Sequence, residues 1–221
     1  IADLKKQGIR FLGYNNCFLM YDSEMYDYAA AHNYLVLDRT GKPYDLPMFS
    51  FSAVMLDLTN PACREWITRY IVEHMIDIGI DGWMCDFAEY LPTDAVLASG
   101  ADAAVHHNEY PVAWAQVNAD AVRLAGRDEG EDAVVFFSRS GNLGTTRHAP
   151  LIWTGDQTMT YWPDSGLPAA VNACVSMGFS GVGYIHADIA GEFGLLWFRR
   201  TKDLFLRSTE FAAFTPVMRT H

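Results

Sequence analysis

Short apolar runs alternating with longer segments of helical period constrain this chain more than any other feature of it. Residues 8–14 (GIRFLGY), 54–58 (VMLDL), 82–87 (GWMCDF), 133–139 (AVVFFSR), 150–156 (PLIWTGD) and 181–188 (GVGYIHAD) read as strands. Helical segments lie at 23–33, 60–79, 112–126 and 167–181, with a last helical region at 195–211. The clearest helix starts where Asn60 can cap it and Pro61 fits the first turn. Ile67, Tyr70, Ile71, His74, Met75 and Ile78 recur there at three- and four-residue steps, predicting one apolar face, and Gly79 can end the helix. Residues 92–111 are polar and read as an excursion over the surface. Strands apolar on both faces, separated by helices, imply a parallel sheet.

Such a sheet is either open and doubly wound or closed into a barrel. No glycine-rich phosphate fingerprint follows the first strand, which counts against a dinucleotide-binding fold. Polar residues instead end several strands: Asp86, Arg139, Asp156 and Asp188, with Glu89 just beyond Asp86. In a (β/α)8 TIM-type barrel such ends converge on one mouth, where active sites form. The barrel is therefore the predicted fold. Five or six strands are legible, without repeat or linker. Residues 1–221 are thus expected to form part of a single (β/α)8 catalytic domain, its first and last barrel elements missing. The opening IADLKKQGIR lacks the apolar stretch of a secretory signal, and the chain is expected to begin inside a longer protein.

Composition narrows the partners. Half of the residues are hydrophobic and 19% are charged, the profile of a globular chain. A net charge of −11 with no Lys/Arg cluster repels nucleic acid. No apolar run is long enough to cross a bilayer, so a membrane is not expected as a partner. Cys17, Cys63, Cys85 and Cys174 form no C-x-x-C pair and fit no zinc or iron–sulfur spacing. Free buried thiols suit a reducing compartment, and a cytoplasmic location is expected. His106 and His107 beside Glu109 are adjacent histidines projecting to different sides, a solvated loop rather than a metal cluster. His186 near Asp188 fits strand-end hydrogen bonding. The run Asp128, Glu129, Glu131, Asp132 is a solvated turn, and no G-x-S-x-G elbow occurs.

Asp86 and Asp156 each end an apolar strand among aromatic residues. Cleaving a glycosidic bond needs two carboxyl groups in unlike environments, one ionised to attack the anomeric carbon and one carrying a proton for the leaving oxygen. Arg139, between them in sequence, can hold a carboxylate ionised or bind sugar hydroxyls. Trp83, Trp153 and Tyr90 offer flat faces to a pyranose ring, with core packing the competing role and the favoured one for Trp83. By themselves, two strand-end aspartates also fit helix caps and loop turns.

Five motifs raise the specificity. GIDGWMCDFAEYLPTDA (79–95), FFSRSG (136–141), IWTGDQ (152–157), YIHADIAGE (184–192) and AFTPVMRTH (213–221) occur in an order that resembles glycoside hydrolase family 31. The resemblance implies a (β/α)8 barrel, no metal, no cofactor and retention of the α configuration. It implies Asp86 as nucleophile, Asp156 as acid/base, and Arg139, Trp153, Asp188, Glu89, Glu192 and His221 at the substrate. The first motif is closest to the sulfoquinovosidase-like branch, whose members release a 6-sulfonated glucose. The chain departs from the pattern at Cys17, where a proline is expected, at Ala190, the second glycine of D-I-G-G, and at Glu192, where that branch carries a tyrosine. An acid at Glu192 should repel a sulfonate.

The expected function is a retaining α-glycoside hydrolase acting by double displacement on a small carbohydrate or glycoside. A sulfoquinovosidase competes with an α-glucosidase or α-galactosidase. A sugar-binding module without catalysis is the alternative of another class, and intact Asp86 and Asp156 speak against it. A further alternative is that the chain alone is inert because its barrel is incomplete. Homo-oligomerisation is left open.

Overall fold

A computed structural model describes residues 1–48, 51–194 and 199–221. They form two compact units, residues 1–136 with 141–148 and residues 137–140 with 149–221.

The first unit runs α1 (Ala2–Lys5), β1 (Leu12–Asn16), β2 (Phe18–Met20), α2 (Glu24–Ala31), β3 (Leu46–Pro47), β4 (Ser52–Met55), α3 (Pro61–Ile71), β5 (Gly82–Asp86), α4 (Ala103–His106) and α5 (Tyr110–Leu124). β1 and β5 pair in parallel from Leu12 with Gly82 to Asn16 with Asp86. Gly82 is required by the close approach of the chain at Val135, whose carbonyl oxygen would lie 2.1 Å from an added Cβ. Asp81, one residue earlier, is buried and anchors the start of the strand. It meets Lys5 at 2.9 Å and Arg127 at 3.6 Å and accepts from the Phe11 N–H at 3.3 Å. Burial pushes its carboxyl up, but these donors and charges together hold it below the usual range.

The expected strand at 54–58 takes a different place. β4 pairs antiparallel with β2 and β3 in a separate three-stranded sheet. The few residues between β3 and β4 are too short for a crossover, which needs a dozen or more, and the two strands pair antiparallel.

α3 starts as expected, with the Asn60 side chain accepting from the Ala62 N–H at 3.0 Å. Its predicted face holds only for the first two turns. Ile67 and Ile71 are buried, but Ile78 is 56% exposed and Ile76 is buried instead. The helix widens after Ile71 into a π turn over Val72–Ile76. The extra residue in that turn rotates the following side chains by about 100° relative to an α-helix.

The polar excursion contains α4 and is pinned by buried Asp57, which accepts from the Thr59 N–H at 2.9 Å and the Ala98 N–H at 2.6 Å. At the centre of the unit, α5 carries the fully buried Asn118. Its Oδ1 accepts from Asn15 Nδ2 at 3.0 Å and Trp83 Nε1 at 2.8 Å, and its Nδ2 donates to the Trp114 carbonyl at 2.9 Å. One amide thus ties α5 to β1 and β5.

β6 (Val135–Ser138) starts in the first unit and ends in the second. In the second unit it pairs in parallel with β7 (Leu151–Trp153), Phe137 opposite Leu151. β7 pairs in parallel with β8 (Tyr184–His186), from Leu151 with Tyr184 to Trp153 with His186. α6 (Leu167–Phe179) links them, completing a βαβ element, and packs on β8 and on α7 (Lys202–Ala212). The last helix was expected over 195–211. Residues 195–198 lie outside the described residues, and the helix begins at Lys202, where Thr201 Oγ1 accepts from the Leu204 N–H at 3.2 Å.

Replacing Asn118 by Leu strips the acceptor from the buried Trp83 donor and the part-buried Asn15 donor. The variant is expected to lose about 3 kcal/mol of stability, measured by urea denaturation.

Candidate active site

In the first unit, Asp86 is the last residue of β5 and is 6% exposed. Its Oδ2 accepts a hydrogen bond from the Tyr14 hydroxyl at 2.7 Å. The chain leaves the strand through two consecutive non-glycine residues in the left-handed region, Phe87 at φ 58° and Ala88 at φ 88°. Such conformations cost about 1–3 kcal/mol each and cluster at functional sites. They turn the chain sharply and set Glu89 just past the bend. Phe87, Phe18 and Tyr90 form a ring cluster beside it, with centroids 4.9 to 5.7 Å apart. Cys17, at the expected proline position, is fully buried. Burial pushes its thiol well up, the Ala88 backbone hydrogen bond opposes this, and the charges of Glu89 and Asp86 add to the rise.

In the second unit, Asp156 follows β7 by way of Gly155, whose φ of 80° turns the backbone out of the strand. Its side chain is 41% exposed, and Arg139 Nη1 donates to its Oδ2 at 3.1 Å. Asp86 and Asp156 thus differ in surroundings, as two carboxyl groups with unlike tasks must.

Trp153 and Asp188, both expected at the substrate, are enclosed. Trp153 is buried and donates through Nε1 to Asp188 Oδ2 at 3.0 Å. Asp188 Oδ1 pairs with Arg219, whose guanidinium lies 5.0 Å from the Phe137 ring centre and 4.9 Å from that of Trp153. Burial pushes the Asp188 carboxyl up, and the charge of Asp156 adds to this. Arg219, His221 and the Trp153 donor pull the other way. Two residues past Arg219, His221 Nε2 lies 3.4 Å from Glu192 Oε1. The Arg219 carbonyl accepts from the Ile189 N–H at 2.8 Å, and Arg200 donates to the carbonyls of Gly191 at 2.8 Å and His221 at 3.1 Å. Asp188, Glu192 and His221 are therefore assembled around the ion pair of the buried Asp188 with Arg219. Ala190 holds φ 66°, a left-handed backbone costing an alanine about 1–2 kcal/mol, which accounts for a glycine in the family pattern there.

Sequence reasoning singled out neither Tyr14 nor Arg219. Tyr14 closes the first predicted strand, and only the register of β1 on β5 aims its hydroxyl at Asp86. Arg219 lies inside the motif ending at His221, and no local pattern distinguishes it from a surface arginine. Trp83 is a core residue, stacked 5.7 Å from Phe136 and bonded to Asn118. His106 pairs with Glu109 at 2.9 Å while His107 turns to the Leu91 carbonyl at 2.5 Å. Among the described residues no group of three or more His, Cys, Asp or Glu side chains could hold a metal ion, and no helix is long and apolar enough to cross a membrane. A groove of about 1010 Å³ in the first unit, lined by Arg64, His106, Tyr110 and Asn142, contains none of the candidate residues.

Parallel strands linked by helices, with acids and an arginine at the strand ends, define an α/β protein of the TIM-barrel class. The chain belongs to glycoside hydrolase family 31, whose TIM-barrel domain matches residues 1–221. It is 43% identical over its whole length to a sulfoquinovosidase of Agrobacterium fabrum and 39% identical to one of Escherichia coli. It also superposes on a family 31 sulfoquinovosidase from E. rectale, solved in complex with an aza-sugar inhibitor, with a TM-score of 0.95 at 41% identity over all of this chain and 33% of that one. The chain spans about a third of the length of the curated relatives it matches, 33% and 32%.

His186 supplies a pH test of this region. It is fully buried, and burial, then the Arg219 charge, lower its pKa from 6.5 to about 4. The unfolded chain therefore takes up the proton more readily between those values. The His186 contribution is complete above about pH 6.5 and is lost as pH falls toward 4, on the order of 3 kcal/mol in all. Wild type should lose stability between pH 7 and 4.5 in urea titrations, and His186→Gln should flatten that loss. An unchanged pH dependence in the variant would contradict this account.

Proposed function

We propose that the protein is a retaining α-glycoside hydrolase with Asp86 as nucleophile and Asp156 as general acid/base. The observation that carries the nucleophile role is Asp86 at the end of β5 accepting from the Tyr14 hydroxyl, a donor that favours the ionised carboxylate, while the acid/base role of Asp156 rests on its place in the IWTGDQ motif. Family membership is its second support. In the proposed reaction an Asp86 oxygen bonds to the anomeric carbon as the bond to the aglycone breaks. The proton of Asp156 goes to the departing oxygen. Water then attacks the anomeric carbon, its proton returns to Asp156, and the bonding pair returns to the Asp86 carboxylate. The reading takes residues 1–221 as part of one (β/α)8 catalytic domain and requires the two carboxyl groups to meet about 5–5.5 Å apart across the sugar. Arg139, Glu89, Glu192 and His221 contact the substrate, while Trp153 and Asp188 hold that surface from behind. The buried thiols of Cys17, Cys63 and Cys85 suit the cytoplasm.

The substrate proposed first is an α-sulfoquinovoside, on the strength of the relatives at 43% and 39% identity. Glu192 favours a second reading, a neutral α-glucoside or α-galactoside, because its carboxylate beside His221 opposes a sulfonate. Comparing turnover of aryl α-sulfoquinovoside, α-glucoside and α-galactoside decides between them.

Asp86→Asn should lower kcat on the order of 10⁴-fold or more while leaving the fold intact, and near-normal turnover would end the assignment. Asp156→Ala should slow substrates with poor leaving groups far more than activated aryl glycosides. Equal losses on both would remove its role as the acid.

A further inference from the structure

We propose that Tyr14 is a catalytic residue that stabilises the charge returning to the Asp86 carboxylate when the covalent glycosyl intermediate is hydrolysed. The inference rests on the reading of Asp86 as nucleophile and goes beyond it, because neither the motifs nor the relatives' names assign anything to residue 14.

The geometry is specific. Tyr14 lies on β1 level with Met84 on β5, two residues short of Asp86. At about 3.3 Å of rise per residue that gap is about 7 Å, which a phenol side chain spans and a shorter hydroxyl residue does not. The ring leans along the strand direction and delivers its hydroxyl to Asp86 Oδ2 at 2.7 Å, the length of a strong hydrogen bond to a carboxylate. The register itself is held by hydrogen bonds to the buried Asn118. Asn15, next to Tyr14, and Trp83, next to Met84, both donate to Asn118 Oδ1. The donor is therefore preorganised and needs no movement at the moment of reaction, the condition under which such a group is most effective.

The two chemical steps use this hydrogen bond in opposite ways. As Asp86 attacks, its negative charge is drawn into the new ester bond, and the Tyr14 donor loses part of its partner. As water displaces Asp86, the electron pair of the breaking ester bond returns to the carboxylate, and the same donor meets growing charge. Its net effect falls on the second step. Removing the hydroxyl should slow deglycosylation and leave glycosylation no slower, or modestly faster, so that the glycosyl-enzyme accumulates.

The test is Tyr14→Phe, which keeps the ring on β1, assayed with an aryl α-glycoside that the wild-type protein turns over. For such activated substrates kcat reports the second step and kcat/KM the first. kcat should fall about 10- to 100-fold, the range a hydrogen bond to a charged group supplies, with KM falling in parallel and kcat/KM within about threefold. A pre-steady-state burst should appear or grow, and mass spectrometry of quenched enzyme should find the sugar on the peptide carrying Asp86. Placing 3-fluorotyrosine at position 14 retains the ring and strengthens the donor. It should leave kcat at or above the wild-type value, which also separates donation from packing. Equal loss of kcat and kcat/KM without accumulated intermediate overturns the proposal, as does an unchanged kcat. If the trapped sugar maps to another residue, or Asp86→Asn keeps turnover, the nucleophile reading fails and this proposal with it. If Asp86 carries the sugar but Tyr14→Phe leaves the two steps in their wild-type proportion, only the role of Tyr14 falls.

Discussion

The parallel register of β1 on β5 is the constraint on which the candidate nucleophile depends. Leu12 opposite Gly82 starts it and Asn16 opposite Asp86 ends it. A slip by one residue would reverse every side chain of the strand, sending Trp83 out of the core and Asp86 away from Tyr14. The register is secured at both ends and from behind. Asp81 is clamped by Lys5 and the Phe11 N–H at the start, and Gly82 admits the close approach of the Val135 carbonyl. Asn118 receives donors from both strands at once. A buried amide bonded to both strands and to its own helix favours one arrangement, since any other leaves polar groups without hydrogen bonds in the core.

The second unit meets a comparable demand with charge. Asp188 is buried and pairs with the partly exposed Arg219, and burying a charge costs several kcal/mol unless it is paired and its remaining polar atoms are satisfied. Trp153 Nε1 satisfies the other carboxylate oxygen, and the Phe137 and Trp153 rings flank the guanidinium. An arrangement this dependent on its partners holds its neighbours in place. The segment carrying Glu192 and the segment ending at His221 are joined through Ile189, Arg200 and the ion pair itself. The same positive charge helps keep His186 neutral.

Backbone strain marks two of the segments where the chain leaves a strand and carries candidate groups. Phe87 and Ala88 follow Asp86 in the left-handed region, and Ala190 precedes Glu192 in the same conformation. Surrounding structure must over-determine such residues for them to persist. The buried Cys17 and Ala88 on one side, and the Asp188 to Arg219 pair on the other, supply that confinement.

Much of this was legible in the chain itself. Strand and helix alternation, the Asn60 cap, and the placement of Asp86 and Asp156 at strand ends follow from local pattern, because propensity, capping and apolar period act within a few residues. Five motifs in order pointed to the family. Tertiary structure alone decided the rest. Whether 54–58 lies in a parallel or antiparallel sheet depends on which strands it meets, and the π turn after Ile71 swaps Ile76 for Ile78 in the core. The enclosure of Trp153 and Asp188, and the hydroxyl of Tyr14 on Asp86, arise from side chains brought together across 35 and 72 positions of sequence. Pairings at such separation leave no periodicity to read, since they are set by strand register and by the hydrogen bonds that burial makes obligatory.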